Sequence, residues 1–130
     1  MNRGDSSRQL HLRFFLLHSV ALLLIYLLLP IVLGAFLPGR DWIGVMSTLL
    51  FIVNPIATAA ASFLFAYRHG FRFYIPVITC VLFIPAVFIA YNYTAWPNAF
   101  IYLGTSSAAC LIASHLRADR KKRRLFRYTR

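Results

Sequence analysis

Charged residues cut the chain into long apolar pieces. Four stretches contain no Asp, Glu, Lys or Arg: residues 14–37, 42–67, 73–93 and 97–116, each 20 to 26 residues long. At ~1.5 Å rise per residue, a helix of that length covers the roughly 30 Å hydrocarbon core of a bilayer. None of the four has the wide polar face that a helix on a soluble core returns every turn. None alternates as a barrel strand does either, and the run from Leu22 to Leu29 is apolar or aromatic at every position. A segment in lipid must satisfy its own backbone hydrogen bonds, and a helix does so. The pattern predicts an all-α fold: a four-helix transmembrane bundle with short connections. It forms one integral membrane domain over residues 1–130, ending in a basic tail at 117–130.

Composition sharpens this. The chain is 60% hydrophobic and 13% charged, about half the ~25% charge of soluble domains. The few charges are nearly all positive, giving a net charge of +11. They flank apolar spans and do not gather on a folded basic face, which argues against a nucleic-acid partner.

Placement of the positives predicts orientation. Arg3, Arg8 and Arg13 precede the first span, Arg68 and Arg72 lie between the second and third, and eight more follow the fourth. Only Arg40, beside Asp41, falls on the other side, so 13 of 14 positives share one face. The positive-inside rule makes that face cytoplasmic, with both termini on it and the cell membrane as the location. Trp42, Tyr91, Tyr93 and Trp96 are then expected at the outer interface, and Tyr67, Phe73 and Tyr74 at the inner one. The first span follows a basic segment, as a signal peptide would, with Gly34 as its only passable cleavage site. Its apolar run exceeds the ~7–15 residues of such a peptide, so it is expected to remain as a span.

Candidate chemistry inside the spans is sparse. Pro30, Pro55 and Pro85 each lack an N–H, which leaves the carbonyls of Tyr26, Phe51 and Val81 short of a partner. Asn54, directly before Pro55, is the most informative polar residue. Thr58, Ala61 and Ser47 fall on its helical face at offsets of four and seven, so Asn54, Thr58 and Ser47 form the candidate intramembrane polar site. In hydrocarbon the amide needs partners, either across helices, including the loosened carbonyls, or in a solute. Small residues pair at Ala57 with Ala61 and at Gly104 with Ala108, a spacing that lets helices approach.

His11, His18, His69 and His115 lie toward the cytoplasmic side at unrelated spacings, so no metal site is expected. Cys80 and Cys110 form no CxxC pair and read as small hydrophobes. No cofactor motif is present. No intramembrane carboxylate is available for proton-coupled export, and no triad for hydrolysis. Arg120, Lys121, Lys122, Arg123 and Arg124 exceed what orientation needs and are candidates for contact with anionic lipid headgroups.

The expected function is therefore a non-enzymatic interaction or accessory subunit, as a homo-oligomer or within a larger membrane complex. The alternative is a small transporter or channel subunit for a neutral or weakly charged solute.

Overall fold

The computed structural model describes the backbone of residues 3–37, 39 and 41–128, and within that set the side chains from 8 to 123. Four helices account for nearly all of it, with no strand among the described residues. Helix α1 is Arg3–Phe36. Helix α2 is Asp41–His69, continuous through a π-helical turn at Leu49–Val53. Helix α3 is Tyr74–Ile89, and helix α4 is Asn98–Tyr128. Helices α1, α2 and α4 are long and apolar enough to cross a membrane.

The third helix departs from expectation. Its charge-free stretch predicts 21 residues, but α3 stops at Ile89 after 16, a length of ~24 Å. The last turn widens, so that the N–H groups of Ala90 and Tyr91 both donate to the Ala86 carbonyl. Asn92 is then extended, and a single 3₁₀ turn at Tyr93–Ala95 leads into α4.

Side-chain contacts give the topology. Along α1 and α2 the pairs His11–His69, His18–Phe65 and Tyr26–Thr58 run in opposite directions. Along α1 and α3, Phe15–Tyr74 and Tyr26–Phe83 run in the same direction. Helix α2 packs most extensively on α4, also in parallel, while α2 and α3 scarcely touch across their short connection. The helices thus form a ring in the order α1, α2, α4, α3, with α2 and α3 on a diagonal. Gly70 makes the sharp departure from α2 possible: it ends the helix at φ 86° with its N–H on the Ala66 carbonyl, a backbone state that costs other residues more.

The close α2–α4 contact follows from small residues. Ser62 and Ala66 face Ser106, Ala109, Cys110 and Ala113, all buried. The Ser62 and Ser106 hydroxyls meet at 2.7 Å, and the Cys110 thiol points to the Ser62 carbonyl at 3.6 Å. Small side chains let backbones approach where lipid offers no hydrophobic drive between helices. The pairs picked out by spacing alone lie elsewhere: Gly104 and Ala108 are exposed, and Ala57 and Ala61 are half-buried.

Outside, Leu17, Ile56, Leu64, Phe88 and Phe100 are each 60–71% exposed. Large apolar side chains standing out from every helix are what lipid, and not water, accommodates. The chain is a small helical membrane protein.

Candidate functional site

The site begins with a conflict in α2. Proline at position 55 has no N–H to give to Phe51. The helix responds with the π turn, in which the Asn54 N–H reaches back five residues to the Leu49 carbonyl. That diversion costs the Leu50 carbonyl its usual donor at Asn54, and the next candidate donor is Pro55, which has none. Tyr102 of α4 fills the gap, donating its hydroxyl to the Leu50 carbonyl at 2.7 Å. A π turn supported from a neighbouring helix is thus built around a single proline.

Asn54 itself is completely buried. Its Nδ2 donates at 2.9 Å to the hydroxyl of Tyr91, which folds inward from the turn after α3. Its Oδ1 makes no hydrogen bond with the protein. One turn further along α2, Thr58 is hydrogen-bonded to the Tyr26 hydroxyl of α1. Aromatic rings seal the layer: Tyr26 stacks on Tyr102 at 5.5 Å, and Phe83 of α3 stands edge-on to Tyr102 at 4.4 Å. All four helices, or the turns that adjoin them, therefore send a side chain to one layer.

Of the residues anticipated for this site, Asn54 and Thr58 are brought together and Ser47 is not. Ser47 is exposed, its hydroxyl turned to the Ile43 carbonyl of its own helix. Tyr91 is half-buried with its hydroxyl on Asn54, whereas Tyr93 and Trp96, grouped with it from sequence, are 70% and 58% exposed. Tyr26, Tyr91 and Tyr102 were not singled out as site residues from sequence. The signal was present for two of them, because a tyrosine deep within a span must find a partner for its hydroxyl.

This layer offers hydroxyls, an amide and a backbone carbonyl. It contains no imidazole, amine or carboxylate, so its chemistry is hydrogen bonding. The histidines lie nearer the end where α1 begins. His11 and His69 rings are 4.7 Å apart, while His18 is buried against Phe65. No three metal-ligating side chains gather among the described residues. Cys80 and Cys110 are free and belong to different packing clusters.

The same end collects the positive charge. Arg68 lies over the Phe14 ring at 5.4 Å, Arg120 over Tyr67 at 5.6 Å, and Arg117 reaches the Gly70 turn. Helix α4 continues through the basic tail to Tyr128. Arg120, Lys121, Lys122 and Arg123 are exposed on it, and the Arg124 side chain lies outside the described residues.

Comparison with protein families yields a match. The model of a family described as "Protein of unknown function (DUF2651)" aligns with residues 49–121. That stretch starts at the π turn and takes in Asn54, Thr58, Tyr91 and Tyr102, but not Tyr26. No curated protein and no solved structure matches the chain. With more than half of its length covered, including the π turn and three of the four helices that meet at it, the chain belongs to the DUF2651 family.

Proposed function

We propose that this protein is a non-catalytic accessory subunit that assembles, with itself or with a larger complex, in the cell membrane. One observation carries the reading: the polar groups at mid-depth are used to tie the four helices to one another. Tyr102 serves the Leu50 carbonyl, Asn54 serves Tyr91, and Tyr26 serves Thr58. Such a layer specifies a bundle and leaves its lipid-facing surface available for partners. The charge-rich end is assigned to the cytoplasm, with both termini there, on the strength of the positive-inside rule. The basic stretch of α4, from Arg120 to Arg124, is assigned to anionic headgroups of that leaflet.

A second reading, passage of a neutral solute, draws on the unpaired Oδ1 of Asn54. The two part at Asn54→Leu. On the accessory reading this change lowers bundle stability or assembly by ~0.6–2 kcal/mol, and the wild-type protein carries nothing in proteoliposomes. A well-folded variant that loses a measurable wild-type flux would reject the accessory reading. Co-purification from native membranes then identifies the assembly.

A further inference from the structure

We propose that the crevice between the start of α1 and the start of α3 seats the phosphate of an anionic phospholipid. This site is separate from the basic stretch of α4. The crevice has a volume of about 550 Å³ and is lined by Arg8, His11, Leu12, Phe15, Arg72 and Tyr74. Two arginines line it from different parts of the chain, one on α1 and one on the turn that opens α3. The second is fixed at its backbone, since the Arg72 carbonyl accepts the Ile75 N–H at 3.1 Å in the first turn of α3. Phe15 and Tyr74 meet edge to face at 5.8 Å across the crevice, and His11 is held from behind by the His69 ring.

The lining is therefore layered. Arginine, imidazole and a phenol hydroxyl are combined with Leu12 and Phe15, the residues of α1 that lead into its apolar span. A phospholipid has the same order, a phosphate above acyl chains, and basic pockets between membrane helices are suited to such headgroups. Planar arginine forks match phosphate oxygens in pairs. Other cavities fit less well. The one beside Arg120 and Arg123 includes Asp119, which opposes an anion. The one containing Arg68 is walled mainly by apolar side chains. The one at the far end includes Asp41 and, among the described residues, no cation. A lipid in this seat would clamp α1 to α3, parallel neighbours that no turn connects.

The test is native mass spectrometry of the full-length protein in detergent. The probes are short-chain phosphatidylglycerol, phosphatidylcholine and inorganic phosphate. Phosphatidylglycerol should bind in preference to phosphatidylcholine, and inorganic phosphate should not displace it. Replacing both arginines, Arg8→Gln with Arg72→Gln, should weaken that binding by about tenfold or more, the effect of losing charge-assisted contacts. Removing the same charge outside both the crevice and the Arg120–Arg124 stretch, Arg127→Gln with Arg130→Gln, should weaken it far less. Arg72→Lys keeps the charge but not the fork, and gives a second, milder variant that should also bind more weakly. Equal weakening by the C-terminal pair would make the effect one of net charge and overturn the site. So would equal binding of phosphatidylcholine, or unchanged binding in both the double-arginine and Arg72→Lys variants. Displacement of the lipid by inorganic phosphate would assign the crevice to a free anion and reject the phospholipid.

Discussion

Tyr102→Phe isolates one hydrogen bond in the membrane interior. The ring keeps its place against Tyr26 and Phe83, so packing is retained while the hydroxyl on the Leu50 carbonyl is lost. No backbone donor replaces it, because the Asn54 N–H is committed to Leu49 and Pro55 has none. An unsatisfied buried carbonyl costs roughly 1–3 kcal/mol, and interhelical hydrogen bonds in membrane bundles average about 0.6 with a ceiling near 1.7 kcal/mol. The expected loss is thus ~1–1.5 kcal/mol. Pro55→Ala supplies an N–H at that point, either directly or by letting α2 relax to its ordinary register. In that background the Tyr102 hydroxyl becomes redundant and its removal should cost ~0.5 kcal/mol or less. Equilibrium unfolding of the four proteins in mixed micelles closes the double-mutant cycle. A coupling energy of ~0.5–1 kcal/mol supports the argument, whereas additivity within ~0.3 kcal/mol would refute it.

Gly70→Ala should lower thermal stability by about 1 kcal/mol or more, since φ 86° strains an alanine and its Cβ would lie 3.0 Å from the Arg117 guanidinium. Gly70→Asn should cost about as much in the same melt, because ψ 173° lies outside the left-handed helical well that asparagine tolerates. Reporter fusions after Arg130 and after Gly39 should place the C-terminus inside and the first turn outside; an external C-terminus would contradict the charge assignment. Neutralising Lys121, Lys122, Arg123 and Arg124 together should reduce binding of a peptide of residues 114–130 to anionic vesicles, and the wild-type binding should fade with salt. Equal affinity for neutral vesicles would remove the electrostatic basis of that contact.

The four-helix architecture was legible because charge is so scarce. With every Asp, Glu, Lys and Arg confined to short intervals, the chain offers few places to turn, and the helices end close to those places. The early end of α3 was not legible in the same way. Nothing charged marks Ile89, and the helix closes there through a widened turn on Ala86, after which Tyr91 reaches Asn54. The ring order was also hidden. A short connection at Gly70 predicts neighbours, but the small faces of Ser62, Ala66, Ser106 and Cys110 draw α2 onto α4 instead.

Asn54 and Thr58 were legible as a pair because four residues of regular helix separate them, and Ser47 was misplaced because the seven residues before Asn54 are not regular. A π turn inserts one extra residue, which rotates the N-terminal half of α2 by about 100° relative to the half that begins at Asn54. Offsets from Asn54 toward the N-terminus must then be lengthened by one. Five residues back is Leu49, which is buried, and eight back is Met46, which is half-buried; Ser47 and Thr48, at seven and six, are exposed. The proline that signals a break in sequence therefore does more than bend α2. It changes which side chains on the N-terminal half of the helix face the bundle, and it leaves a carbonyl that a hydroxyl from another helix satisfies. Tyr102 is that hydroxyl, so one interaction ties the register of α2 to its packing against α4.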